Sequence, residues 1–370
     1  MDATTNQSGA ANVFAVVLAG GNGERFWPVS TAERPKQFVD LFGGKPLIRH
    51  AVDRLDGFIP PERTLVITAE RLVPMTRTAL PMLPPENIVG EPCRRDTAAA
   101  AAVAVGLVKR LGGADAVGCI LTADHLIDPV AKFRQTLADT VTAAVQTGAI
   151  VTMGIVPEFP ATGFGYIEAG DAIDLGTPTV FNRVRRFVEK PDRSTAEAYL
   201  STGRFSWNAG MFIWQVRTLE AEFARLAPDI GGLIDAVATA ADVPSTLARL
   251  YPALRATSID YAIMEKAQNI LVAKSEFRWD DVGSWQAVAN HFPRDNDGNT
   301  RLGRTALLDT TDSIVVSDDT HVTAVVGLSD IVVVHTPTAT LVCAKDKVQD
   351  VKKLVSGLAS QPAASREANA

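Results

Sequence analysis

Cysteine is scarce: Cys93, Cys119 and Cys343 are the three among 370 residues, and none has the paired spacing of a zinc site or a disulfide framework. They read as reduced and structural. The five histidines, His50, His125, His291, His321 and His335, lack the spacing of a metal cluster or of a nucleophile's base. No apolar run reaches membrane-spanning length, and the opening MDATTNQSGAAN carries no basic stretch followed by an apolar one, so neither an anchor nor a secretory signal is expected. Positive charge has no surplus either. The 36 Lys and Arg face 42 Asp and Glu, a formal charge of −6, which argues against nucleic acid or anionic membrane as a partner and makes any phosphate binding local. What remains is a cytoplasmic chain with length for two domains and, at 46% hydrophobic, an ordinary globular composition.

The apolar runs that are present have an order. VFAVVLAG (13–20), TLVIT (64–68), VGCILT (117–122) and AIVTMGI (149–155) read as buried strands, and the stretches 97–111 and 130–146 between them read as helices. That alternation predicts a doubly wound α/β sheet. At HFPRDNDGNTR (291–301) turn formers and charge take over. Beyond it, 305–344 is a series of short β-branched runs broken by Asp, Ser, Gly and Pro, which suggests a small β domain of β-helix type, with 345–358 as a closing helix. The expected division is a disordered leader (1–12), a catalytic domain (13–290), a linker (291–304), the β domain with its helix (305–358) and a disordered tail (359–370).

The first strand runs into LAGGNGERFWPVSTAERPKQF (18–38). A glycine-rich turn at a strand end lets backbone N–H groups converge on an anion. Neither the dinucleotide fingerprint nor the P-loop fits, since Phe26 stands where the third glycine would be and no GK[ST] follows. Arg25 and Lys36 add two cations suited to a triphosphate whose charge shifts as a bond breaks. This stretch resembles the signature of sugar-1-phosphate nucleotidyltransferases, and its PKQF ending resembles the bacterial mannose-1-phosphate guanylyltransferase branch. TADH (122–125), TGFGYIE (162–168), FVEKPD (187–192), WNAGMFIW (207–214), SIDYAIMEK (258–266) and DDVGSW (280–285) extend the likeness in the family's order over residues 13 to about 355.

The resemblance implies a Rossmann-like nucleotidyltransferase domain with a mixed, mainly parallel sheet, followed by a short left-handed β-helix. It implies transfer of GMP from GTP to mannose 1-phosphate by direct displacement at the α-phosphorus, a Mg²⁺ cofactor and a homodimer. Carried onto this sequence, Leu18, Ala19, Gly20, Gly21, Asn22, Gly23, Glu91, Arg95, Asp96 and Thr97 would bind the nucleotide, with Arg25, Lys36 and Lys190 as catalytic groups. Asp124 and Asp281 would hold the metal, and Gly165, Glu168, Glu189, Lys190 and Asn208 the sugar phosphate.

From the residues alone, each of these has a plainer explanation. Asp124 could cap a turn or helix, Asp281 could be a turn residue ahead of Gly283, Glu189 and Lys190 could be solvated at a strand end before Pro191, and Asn208 could sit in a tight turn. Two positions depart from the family: Asp96 where Asn is usual, and Thr122 where Pro is common. The competing functions are nucleotidyl transfer to another sugar 1-phosphate or from another nucleotide, and a catalytically silent nucleotide-sugar sensor.

Overall fold

The computed structural model describes residues 12–21 and 23–359. The leader and tail expected to be disordered lie outside the described residues except for Asn12 and Ala359, and so does Asn22. Nine strands share one sheet: β1 (Val13–Ala19), β2 (Thr64–Ala69), β3 (Ile88–Glu91), β4 (Val117–Thr122), β5 (Ile150–Ile155), β6 (Gly165–Ile173), β7 (Phe181–Glu189), β8 (Phe205–Gln215) and β9 (Ile270–Lys274). Their spatial order is β3, β2, β1, β4, β8, β5, β9, β7, β6. The first four pair parallel, as do β5 and β9, whereas β8 runs antiparallel to β4 and β5 and the hairpin β6–β7 is antiparallel throughout. The mainly parallel sheet expected from the family thus holds for β1 to β4. The rest is mixed because a short turn such as that between β6 and β7 can only reverse the chain.

Alternation along β1 sends Val16 to one face and Ala15 to the other. Val16, Ile67 and Ile120 pack under α1 (Asp96–Gly112), whose alanine run from Ala98 to Ala102 is almost wholly buried. Ala15, Val117 and Cys119 pack under Phe133 and Leu137 of α2 (Val130–Thr147). Both faces are therefore covered, which is why these strands are apolar without a break.

The C-terminal strands are short. β10 (Thr300–Leu302), β12 (Ile314–Val316) and β14 (Ile331–Thr336) stack in parallel, β11 (Thr305–Leu308) and β13 (Thr323–Val326) form a second parallel ladder, and β15 (Ala339–Ala344) closes antiparallel on β14. Successive coils stacking in register make a short β-helix. Its corners use Asp309, Asp312 and Asp330 at positive φ, the residue type that enters the left-handed region with least penalty after glycine and asparagine. Asn299, 1% exposed, braces one corner by donating to Thr310 O at 2.8 Å and accepting from Ser313 N at 3.0 Å.

The compact units do not follow the linear order of the chain. One takes residues up to Gly20 with Arg49–Ala123 and Ile127–Trp279; the other takes Gly21–Ile48, Asp124–Leu126 and everything from Asp280 onward. In the second unit, Phe26, Phe42 and Leu47 from the glycine-loop region share a core with Trp285 and Val288 of α3 (Trp285–Ala289) and with Ile314, Val316, Val332, Val334 and Leu341 of the β-helix. Trp285 lies at its centre, 0% exposed, 5.3 Å from the Phe26 ring and donating through Nε1 to Trp27 O at 3.4 Å. Trp285→Ala is expected to cost about 3 to 5 kcal/mol, the range for emptying a large aromatic site, read as a lowered urea midpoint. A midpoint within experimental error of the parent would remove Trp285 as the keystone of this core.

Candidate active site

Within the second unit, the glycine turn and the short helical turn Lys36–Phe38 are locked together. Gly23 has φ +62°, and a Cβ there would lie 2.2 Å from Lys36 Cβ, so only glycine allows the approach. Lys36 is 6% exposed. Its Nζ donates to Asp124 Oδ2 at 2.9 Å and to the backbone oxygen of Asp281, and it lies 5.7 Å from the Phe26 ring centroid. The two aspartates expected as metal ligands thus both touch one lysine, Asp124 through its carboxylate and Asp281 through its backbone oxygen.

Their electrostatics differ. Burial pushes Asp124 up, but the Lys36 charge, His125 and the Lys36 hydrogen bond outweigh it and hold the carboxyl below its ordinary value. Burial also pushes Asp281 up, and there it prevails: Lys36 opposes it, while the neighbouring charges of Asp280 and Asp124 reinforce it. Asp280 itself is turned away, accepting from Val282 N at 2.7 Å and meeting His291 Nε2 at 2.8 Å. Arg25 is exposed, and among the described residues its guanidinium has no hydrogen bond or ion pair. Gly21, four positions earlier, is exposed as well.

The first unit carries a second cluster. Gly165 at the start of β6 lets Glu189 in: a Cβ at 165 would fall 2.5 Å from Glu189 Oε2 and 3.4 Å from Asn208 Cβ. Lys190 follows at φ +48°, an uncommon setting for a residue of its kind, and donates to Glu189 Oε1. Asn208 is held from several sides, accepting from Gly210 N at 3.0 Å and donating through Nδ2 to Asp260 Oδ1 at 2.9 Å. Asp260 opens a π-helical turn, Asp260–Met264. Burial, then the charge of Glu189, raise its carboxyl to about 6 against the pull of Lys190 and Asn208.

Glu168 does not join this cluster. It is three residues from Gly165, so the strand's two-residue alternation turns it to the other face, where it accepts from Arg186 Nε at 2.7 Å. Arg186 in turn lies 5.6 Å from the ring centroids of Tyr199 and Phe205. The structure therefore brings Gly165, Glu189, Lys190 and Asn208 together and leaves Glu168 apart from them.

Of the residues expected at the nucleotide, those of the first unit lie at strand ends or at the start of α1. Leu18, Ala19 and Gly20 end β1, and Glu91 ends β3 with its Oε2 3.4 Å from where a Cβ on Gly20 would be. The other oxygen, Oε1, accepts from the buried Tyr251 hydroxyl, and burial raises the Glu91 carboxyl despite that bond. Arg95 is spent on the backbone, donating to Arg94 O at 2.8 Å and to Pro252 O. Thr97 Oγ1 accepts from Ile259 N at 2.9 Å, tying α1 to the segment that bears Asp260. Asp96 adopts φ +63° and accepts from Thr97 N at 2.7 Å. Asn and Asp both enter that region readily, so this departure from the family meets the same backbone demand.

Asp260 and Tyr251 escaped sequence reasoning. Asp260 lies in the quoted motif SIDYAIMEK, and an acid next to an apolar run was the available signal. Tyr251 had none, because its partner is 160 positions away.

Residues 14–298 match the nucleotidyl transferase family and residues 303–358 the MannoseP isomerase/GMP-like beta-helix domain. A Klebsiella pneumoniae protein named mannose-1-phosphate guanylyltransferase is 37% identical over 357 residues, 93% of this chain and 73% of that protein. An Escherichia coli protein of the same name gives the same identity and coverage, 37%, 93% and 73%. A crystal structure from Thermus thermophilus, described as a mannose-1-phosphate geranyltransferase, superposes with a TM-score of 0.85 at 34% identity over 94% of this chain and 100% of that one.

Asp260 gives a pH test. A carboxyl raised in the folded state contributes stability below its unfolded value near 3.8, and that contribution is lost as pH rises through about 6. Asp260→Asn keeps an acceptor for Asn208 and removes the titration. Relative to the parent, the variant is expected to gain about 2 kcal/mol between pH 4 and pH 8, an order-of-magnitude figure, measured by urea unfolding at both. A parent and variant whose stabilities run parallel over that interval would show the carboxyl to be unperturbed.

Proposed function

The chain belongs to the nucleotidyl transferase family as a mannose-1-phosphate guanylyltransferase, making GDP-mannose and pyrophosphate from GTP and mannose 1-phosphate; we propose that the Lys36–Asp124–Asp281 cluster works on the triphosphate and the Glu189–Lys190–Asn208 cluster on the sugar phosphate. The meeting of two separated aspartates on one buried lysine carries this assignment.

In the reaction a phosphate oxygen of mannose 1-phosphate bonds to the α-phosphorus of GTP while the bond from that phosphorus to the α,β-bridging oxygen breaks. Both electrons leave with pyrophosphate. No protein nucleophile is needed, so positioning and charge stabilisation carry the rate. Lys36, buried and fixed by Gly23, presents a rigid positive charge to the α-phosphate and the leaving group; Arg25, exposed and uncommitted, closes on the outer phosphates. Lys190 aligns the attacking phosphate, and Glu189 and Asn208 accept and donate to sugar hydroxyls. Asp260 holds Asn208 in position for this.

Asp124 and Asp281 fit Mg²⁺: both offer hard carboxylate oxygens, the Asp124 carboxylate and the Asp281 backbone oxygen already meet at Lys36, and burial raises the Asp281 carboxyl even so. Two protein carboxylates leave room for water and phosphate oxygens, as that ion prefers. When bound, Mg²⁺ supplies positive charge to phosphate oxygens as negative charge develops on them.

The reading extends to a cytoplasmic homodimer. No helix among the described residues is long and apolar enough to cross a membrane. On the ladder β11–β13, Leu308 and Val326 are register partners, 60% and 62% exposed, and the adjoining pair Ala306 and Ala324 is exposed too, a surface suited to a second copy.

Incubation with Mg²⁺, mannose 1-phosphate and an equal mixture of nucleoside triphosphates should yield GDP-mannose; another nucleotide sugar as main product would overturn the substrate assignment. Asp124→Asn and Asp281→Asn should each lower turnover at least about a hundredfold, the scale of losing one electrostatic catalytic group. Lys36→Ala should mainly depress kcat, whereas Lys190→Ala should mainly raise KM for mannose 1-phosphate and barely alter that for GTP. If Lys190→Ala weakened GTP alone, the two clusters would have to exchange roles.

A further inference from the structure

A cavity of about 200 Å³ opens between α3 and the first coil of the β-helix. Its floor is apolar, formed by Ala289 and Ile314, which are 4% and 2% exposed. Around the floor stand Gln286, Asn290, Arg294 and Lys345, and no carboxylate is among the lining residues. An apolar base with a few convergent polar groups is the usual make-up of a small-ligand site.

Two of the four polar groups are fixed and two are free. Gln286 Nε2 donates to Lys345 O at 3.0 Å, and Lys345 Nζ donates to Asp312 O at 2.7 Å, leaving that ammonium two further hydrogens. Asn290 and Arg294 have no side-chain hydrogen bond or ion pair among the described residues, although the backbone of Arg294 is pinned by its bridge to Thr300. An arginine fork and a lysine on one cavity wall, with the Asp312 carboxylate behind Gly298 and not among the lining residues, match the geometry and charge of a phosphate. The two amides each offer a donor and an acceptor, which is what a sugar hydroxyl needs. The volume lies below the range of sites for larger ligands, so a nucleotide is too big, while a bare anion would leave the amides idle.

We propose that this cavity binds a phosphorylated monosaccharide, with the phosphate on Arg294 and Lys345 and hydroxyls on Gln286 and Asn290, and that its occupancy changes turnover through α3. The link is short. Asp281, Val282, Gly283 and Ser284 lead directly into α3, Ser284 Oγ caps it by accepting from Ala287 N at 3.3 Å, and Trp285 and Val288 anchor its inner side, both 0% exposed, in the core shared with Phe26. Because that core is close-packed, a ligand wedged against Gln286 and Asn290 moves the helix as a unit, and with it the loop that holds Asp281 on Lys36. The effect on rate rests on the guanylyltransferase reading; the binding does not.

Titration calorimetry on the full chain tests it, with mannose 6-phosphate, glucose 6-phosphate and inorganic phosphate as probes. At least one hexose phosphate is expected to bind with Kd below about 1 mM, and inorganic phosphate about tenfold more weakly or worse. Arg294→Ala and Asn290→Leu, both at exposed positions, should each weaken the hexose phosphate about tenfold or more, while Lys190→Ala leaves its affinity unchanged. Saturating probe should change turnover by at least about twofold in the parent and leave Arg294→Ala unaffected. The proposal falls if neither hexose phosphate binds, if inorganic phosphate binds equally well, if affinity survives Arg294→Ala, or if Lys190→Ala is the variant that abolishes it. Binding with unchanged turnover overturns the coupling to Asp281, and a chain that binds the probe yet makes no GDP-mannose overturns the enzymatic reading instead.

Discussion

A buried ammonium must be neutralised where it stands, and Lys36 is such an ammonium. Its partners come from three stretches of chain: its own glycine loop, the end of β4 and the loop before α3. Gly23 has to lack a Cβ for the lysine to reach them, and Phe26 and Trp285 form the apolar bed beneath. Loss of any of these leaves a charge without a partner in a poorly hydrated place, which is far more costly than loss of a surface ion pair. The pairing that holds this unit together is also what gives the lysine a fixed direction, so stability and pre-organisation have one cause.

The cluster of Glu189, Lys190 and Asp260 follows a different rule. Glu189 lies close enough to act on both Asp260 and Lys190, and two acids stand against one base. Burial first, and the charge of Glu189 second, make Asp260 hold its proton more tightly. Lys190 is already committed to Glu189, to which it donates. The positive φ of Lys190, in front of Pro191, keeps its stem from simply extending the strand.

Much of this was legible in the sequence because glycines and motif order report on backbone and family at once. The strand–turn pattern of residues 13–20, the alternation up to residue 155 and the Asp-punctuated β-branched runs after 304 each carried their local geometry in their composition. Faces and long-range partners were not legible. Glu168 sits just before a register shift between β6 and β7, with Tyr166 and Ile167 both buried ahead of it, so no alternation of polar and apolar residues marked which side it takes. The Glu91–Tyr251 and Asn208–Asp260 contacts join segments with nothing in common locally, and only the folded sheet brings them together. Asp96 shows the reverse case, in which an unusual residue at a motif position makes sense once its backbone angle is known.

The shared core of the glycine loop and the β-helix has a consequence for synthesis. The nine-stranded sheet has all its strands once Lys274 has been made, yet Phe26, Phe42 and Leu47 wait for Ile314 to Leu341 before they can be buried. Contacts across nearly three hundred positions close late, because the loop entropy must be overcome before the contact returns anything. A nascent chain on the ribosome therefore has a folded sheet long before it has an ordered Lys36, and an interrupted chain that stops short of the β-helix is left with exposed aromatic residues that mark it for aggregation or clearance. Ordering of the Lys36 loop and synthesis of the β-helix are thereby made the same event.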